Sequence, residues 1–173
     1  MPESSILRMS SGENSAARNN SIEEAASAPP PSGTLLAFDF GTRRIGIAVG
    51  NTISATAQPL CTINDEKNDS RFAAIAALIR EWEPSALVVG VPCNVDGTPH
   101  ELTALSRRFA NRLKGRFALP TLLVDERYTS AAASSVLNER GIHGRKQKHL
   151  IDQYAAQQIL QAYLDEMSAG IHA

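Results

Sequence analysis

Residues 34–50 read TLLAFDFGTRRIGIAVG, two apolar runs joined by a short polar turn. The first, Thr34 to Phe40, predicts a buried strand, and Gly41-Thr42-Arg43-Arg44 predicts the turn. The second, Ile45 to Gly50, is a strand of small and β-branched residues. So short a link favours antiparallel pairing as a hairpin. Inside the first strand stands Asp39, which alternation places on the same face as Leu35 and Ala37. A lone charge there costs on the order of several kcal/mol unless it is paired or bound to metal. The two readings of Asp39 are a functional carboxylate and a strand-end acid that caps a loop.

Outward from the hairpin, a third strand is expected around Ala55–Ile63, with Pro59 suiting it to a sheet edge. Asn68-Asp69-Ser70 can cap a helix over 71–82, where Phe72, Ile75, Ala76, Ile79 and Trp82 form one apolar stripe. The unbroken run Ala86–Val91 (ALVVGV) reads as a central parallel strand covered on both faces. A loop from Pro92 to Pro99, a helix over 100–114 and a strand Thr121–Val124 follow. Two more helices are expected, 130–139 after the N-cap Thr129, and about 149–167. The order is that of an α/β domain in which an antiparallel start passes into right-handed βαβ crossovers.

Residues 1–33 differ from the rest. They are rich in Ser, Asn, Ala, Glu and Pro and hold few bulky apolar residues beyond Ile6, Leu7 and Ile22. Such a segment buries too little surface to offset chain entropy, so a disordered tail is expected, followed by one domain over 34–173. The tail has no apolar stretch of the kind a secretory signal needs, and its four Glu outnumber Arg8 and Arg18, which argues against a transit peptide. No apolar run is long enough to span a bilayer. A cytoplasmic protein is the expectation.

The formal net charge is −1, so a strongly basic nucleic-acid binder is not what the composition describes. Local distribution is more telling. Arg140, Arg145, Lys146 and Lys148, with His143 and His149, make an acid-free run that reads either as a solvated basic loop or as a phosphate-contacting flap. Cys61 and Cys93 lack the number and spacing of a disulfide framework or zinc site, and the four His show no metal-ligand spacing.

Two further acidic sites match Asp39 in setting. Asp125 and Glu126 leave the strand 121–124 on opposite faces, with Arg127 next in sequence. Asp152 lines up at helical spacing with Ala155, Ala156, Ile159 and Tyr163, so it belongs to the apolar face of its helix. Its alternative reading is an Asp in the first helical turn, favourable to the dipole by roughly 0.3–1 kcal/mol. Acids brought together from strand ends and a helix can form a divalent-metal site of the kind that clamps an in-line phosphodiester displacement. Asp39-Phe40-Gly41 spells the kinase metal triplet, but no kinase Gly-rich loop, phosphate loop or dinucleotide fingerprint accompanies it.

Four segments together, DFGTRRIGIAVG (39–50), VVGVPCNVDGT (88–98), DERYTSAAA (125–133) and KHLIDQYAAQQILQAYL (148–164), resemble the YqgF/RuvX family from about Thr34 to Asp165. Its members are described as Holliday-junction-resolvase-like proteins and as nucleases that mature the 5′ end of precursor 16S ribosomal RNA. The resemblance implies an RNase H-like fold, a five-stranded mixed sheet with its first three strands antiparallel, flanked by helices. It places the family's acids on Asp39, on Asp125 and Glu126, and on Asp152, with Asp39, Asp152 and one of the adjacent pair, Glu126 ahead of Asp125, as metal ligands. Mg²⁺ or Mn²⁺ is the implied cofactor.

The function expected is therefore a metal-dependent phosphodiesterase of structured RNA, foremost precursor 16S rRNA in ribosome biogenesis, or of branched DNA. Arg43, Arg44, Arg127, Arg145, Lys146 and Lys148 would grip phosphates. The ribosome is a candidate partner, and a monomer or homodimer is expected. Two other classes compete. A sugar-kinase or actin-type ATPase also carries Asp-x-Gly-Thr, but needs two such domains around its nucleotide. A non-catalytic nucleic-acid-binding factor would not need every acid in place.

Overall fold

The structure, a computed structural model, describes residues 29–94, 96–126 and 145–170, with side chains in the last stretch described from Lys148. From Pro31 onward these residues belong to one unit. Residues 1–28 of the expected tail, the helix 130–139 with its cap Thr129, Arg127, and the side chains of Arg145 and Lys146 lie outside the described residues.

The elements are β1 (Thr34–Phe40), β2 (Arg44–Asn51), β3 (Thr56–Asn64), α1 (Asn68–Trp82), β4 (Ala86–Val91), α2 (Glu101–Phe117), β5 (Thr121–Asp125) and α3 (Arg145–Gly170). They build a five-stranded sheet of order β3-β2-β1-β4-β5. β2 runs antiparallel to both β1 and β3, while β4 runs parallel to β1 and β5 parallel to β4. The hairpin expected from residues 34–50 is present, with Asp39 paired to Gly46.

Alternation sorts the side chains onto two faces. Leu36, Phe38, Ile45, Ile47, Leu87 and Val89 form one core with Phe72 and Ile75 of α1 and Phe109 and Leu113 of α2. Leu35, Ala37, Ala48 and Val88 form the other with Ala156, Ile159, Leu160 and Leu164 of α3. Full burial of each such Leu, Ile or Phe contributes about 1.5–3 kcal/mol. All six residues of β4 are buried, as its continuous apolar run requires. No helix among the described residues is long and apolar enough to cross a membrane.

β3 is the edge strand its proline implied. Ile47 pairs with Cys61 but Ala48 pairs with Pro59, so Leu60 is an extra residue in a bulge beside the proline. The free edge is closed by glutamines four residues apart on α3. Gln157 Nε2 donates to the Ala57 carbonyl (2.9 Å), and Gln161 accepts from the Ala57 amide (3.1 Å) while donating to the Ala55 carbonyl (2.9 Å). Gln153 Nε2 reaches Thr62 Oγ1 at 3.1 Å. These side chains satisfy strand groups that would otherwise template pairing with another chain.

Helix boundaries depart from expectation in three places. α1 begins at Asn68 and is capped by Lys67 without a side-chain bond, so Asn68-Asp69-Ser70 form its first turn rather than its cap. α2 runs on to Phe117, its start held by His100, whose ring nitrogen accepts from the Leu102 amide (3.2 Å) while Thr103 Oγ1 accepts from the His100 amide (2.7 Å). α3 begins at Arg145, four residues before the expected 149. Arg, Lys and Gln are good helix formers with nothing to break the run after Gly144. Arg145, Lys146 and Lys148 therefore stand in a helical turn, which corrects the expectation that they lie in a loop or flap.

Candidate active site

The site is built at the C-terminal end of β1 on the face covered by α3. Asp39 is half-buried there. On one side, its β2 partner is Gly46, and an added Cβ would stand 2.0 Å from the Asp152 carbonyl oxygen. On the other, Phe38 pairs with Val89, and the residue after Val89 is Gly90, where a Cβ would stand 2.6 Å from Glu126 Oε1. Two glycines thus leave a hollow on either side of the aspartate, one filled by the backbone of α3 and the other by the Ile159 side chain and the Glu126 carboxylate. No other residue type fits either position without moving backbone, Ile159 or the acid.

Glu126 follows β5 directly. Its amide donates to the Val91 carbonyl at 3.1 Å, which continues the β4–β5 pairing by one step and turns the side chain inward. Glu126 is 7 % exposed, whereas Asp125, one residue earlier, faces solvent. Alternation thus brings Glu126, not Asp125, to Asp39. The two carboxyls are close enough for one to donate to the other once either is protonated.

Burial is the main force on this pair. It pushes the Asp39 carboxyl well above the usual carboxylate range, and the charges of Glu126 and Asp152 push in the same direction. Glu126 is raised as well, first by burial and then by Asp125, while its bond to Asp39 and the nearby His100 draw it back. Two carboxyls this close cannot both ionise cheaply, so burial and mutual repulsion both favour protonation of the pair.

Asp152 approaches from α3. With the helix starting at Arg145, Asp152 is two turns in, and the helix has no acid in its first turn, so a dipole-capping role does not account for it. It lies on the same side as the buried Ala155, Ala156 and Ile159, as its spacing implied. Its Oδ2 accepts from Arg44 Nε at 2.7 Å, a half-buried ion pair. Among the described residues, no three Asp, Glu, His or Cys side chains converge closely enough to hold an ion as they stand. Asp39 and Glu126 meet, and Asp152 is held just outside them by Arg44.

Arg44, expected to grip phosphate, is thus spent on a carboxylate. Arg43 is exposed and stands 3.6 Å from Glu66, and Lys148 is exposed at the start of α3. Three contributors were missed by the sequence reading. Gly46 and Gly90 carry no chemistry of their own, and only their lateral register with Asp39 reveals them. His100 has no ligand spacing, and only its place at the start of α2 brings it near Glu126.

An effect on Asp152 separates function from packing. Asp152→Ala is expected to lose cleavage activity, while Asp165→Ala, which removes only an exposed carboxylate bonded to Gln161 (3.0 Å), is expected to cleave at the parental rate. Equal loss in both variants, or in neither, would return Asp152 to a structural role.

A mixed five-stranded sheet with β1 central and acids at its end and on the last helix defines an RNase H-like domain. The fold is similar to that of the yeast mitochondrial Holliday junction resolvase Ydc2 (TM-score 0.55, 10 % identity, 85 % of this chain and 84 % of that one). It is also similar to the Fowlpox virus resolvase solved with Holliday junction DNA (TM-score 0.52, 11 % identity, 78 % and 98 % of the two chains). Residues 33–166 match the RuvX family, described as Holliday junction resolvase, and the chain belongs to that family. A Chromobacterium violaceum protein named "Putative pre-16S rRNA nuclease" is 58 % identical over 137 residues, 79 % of this chain and all of that one. A Methylobacillus flagellatus protein of the same name is 56 % identical over 137 residues, 79 % of this chain and 94 % of that one.

Proposed function

We propose that this nuclease cleaves phosphodiester bonds of precursor 16S rRNA in the bacterial cytoplasm, with a domain spanning residues 34–173 as its working unit. The observation that carries the proposal is the pairing of half-buried Asp39 with buried Glu126 between Gly46 and Gly90, in a chain whose near relatives bear that rRNA nuclease name.

The donor set is all carboxylate oxygen, which suits the hard cations Mg²⁺ and Mn²⁺. Asp39 and Glu126 would hold the ion, with Asp152 completing the set. When bound, it supplies a water of lowered pKa and neutralises charge on the reacting phosphate. The protein's own part is to prepare the ligands. Burial and mutual repulsion disfavour two charges on the metal-free pair, a cation would offset both, and its binding would therefore be accompanied by proton loss and favoured by rising pH. Arg44 fixes Asp152 beside the pair, and His100 tempers Glu126. Arg43, Arg127, Arg145, Lys146 and Lys148 serve as phosphate contacts.

The family description favours a second substrate, the four-way DNA junction. A single-turnover assay of the full chain on 5′-extended 16S rRNA and on a four-way DNA junction, side by side in Mg²⁺, discriminates them. Cleavage of the RNA at least tenfold faster is the expected result, and faster cleavage of the junction would assign the protein to DNA.

A further inference from the structure

The sheet face opposite the carboxylates carries a cavity of about 290 Å³ at the same end of β1. Phe40, which alternates with Asp39, forms part of its wall, and its ring lies 4.9 Å from that of Phe109. Arg71 of α1 lines it and is 3 % exposed. Its guanidinium donates to the Gly41 carbonyl at 2.7 Å and to the Asp65 carbonyl, and stands 5.5 Å from the Phe40 ring. Among the described residues no carboxylate lies within ion-pair distance of it. Burial draws the Arg71 pKa below the usual arginine value, although the charges of Asp65 and Glu66 favour the cation from farther off without either carboxylate pairing with it, a cost that a bound anion would relieve.

Two more arginines, Arg108 and Arg112 of α2, line the same cavity. They are one helical turn apart, an arrangement of like charges that weakens a helix by roughly 0.2–0.5 kcal/mol. Arg116 continues the ridge by another turn and lies 4.2 Å over the Phe72 ring. The one acid on the lining, Glu66, is exposed and drawn toward Arg43. Asn68 adds an amide.

We infer that Arg71, Arg108 and Arg112 form a second phosphate-binding site, filled by a phosphodiester of the substrate strand away from the bond that is cut. The inference rests on the nuclease reading above for the identity of the strand. A polynucleotide fits better than a compact free anion because the charge is drawn out. Successive arginines on the ridge step by about 6 Å along the helix, a line of positive charge facing outward, whereas a small anion calls for convergent donors. The position fits too. The loop after β1 joins the two sites, since the Gly41 carbonyl holds Arg71 and Thr42 lies on the cavity rim. A strand leaving the carboxylates can pass over this loop and reach the ridge.

Equilibrium binding of a labelled 16S leader stem-loop RNA to the full chain, titrated at several salt concentrations in chelator, tests this. Arg108→Gln with Arg112→Gln removes two charges from the cavity without touching Arg71, whose carbonyl bonds support the fold. Arg107→Gln with Lys114→Gln removes two from exposed positions of the same helix outside the cavity. The cavity pair is expected to weaken binding by at least about tenfold and to reduce the salt slope by about two. The control pair is expected to change affinity less than threefold. Equal effects of the two pairs would reduce the ridge to long-range charge and overturn the inference. So would unchanged affinity in the cavity variant, or inorganic phosphate binding the cavity without displacing RNA. Because binding is read in chelator, the result stands apart from whether the carboxylates cut RNA.

Discussion

Asp39→Asn is expected to abolish cleavage while leaving the protein as stable as the parent at neutral pH, or more so. The loss of rate should go well beyond the roughly 10–100-fold typical of removing an outer-shell partner, because a ligand itself is removed. Stability moves the other way for an electrostatic reason. A carboxyl whose pKa is raised by folding binds its proton more tightly in the native state than unfolded. The cost of holding its charge is absent below the ordinary carboxylate range, sets in as pH rises toward the folded pKa, and is full above it. Asparagine carries no charge, so the variant's advantage should be present at pH 7 and vanish in acid. Thermal melts of metal-free parent and variant across pH, with cleavage assays in Mg²⁺, give both readings. Parental cleavage in the variant would remove Asp39 from the site, and a melting temperature several degrees lower at pH 7 would contradict the repulsion.

Gly46→Ala should be the most damaging single methyl group in the domain. The added carbon would stand 2.0 Å from the Asp152 carbonyl oxygen and 2.2 Å from its carbon, both backbone atoms that cannot rotate aside. α3 must lift off the sheet, at a cost on the order of 3 kcal/mol or more, the upper end of what overpacking brings. That corresponds to a fall of roughly 10 °C in Tm for a domain of this size. Activity should fall further than stability, because the displaced backbone carries Asp152. Gly115→Ala is the control, an exposed helical position with nothing within 4 Å of the new carbon, where alanine should stabilise by up to about 1 kcal/mol. Similar small effects of the two substitutions would mean that α3 does not approach the sheet this closely at Gly46.

The hairpin, the edge strand and the buried β4 were legible because each is a short apolar pattern with its own period, read without knowing its neighbours. Asp39 and Asp152 were legible as charges on apolar faces. The choice between Asp125 and Glu126 was not, since alternation says only that they diverge; the β4–β5 register turns Glu126 inward. Other features were hidden because they are relations across the sheet. Gly46 and Gly90 matter through what stands over them. Gln153, Gln157 and Gln161 look like the polar side of a helix until β3 lies beside them. Arg108, Arg112 and Arg116 were passed over in favour of the apolar face of α2. The start of α3 was placed late because charge was taken as a sign of loop, although Lys, Arg and Gln favour helix.

The most direct test of the paired-carboxylate site is single-turnover cleavage of 5′-extended 16S rRNA by the parent and by Glu126→Gln, each in Mg²⁺ and in chelator. Glutamine keeps the shape and can donate to Asp39 but removes the inward charge. The parent in Mg²⁺ alone should cut, with no product from the variant or in chelator. Cleavage by Glu126→Gln near the parental rate, or by the parent in chelator, would contradict a metal held by Asp39 and Glu126.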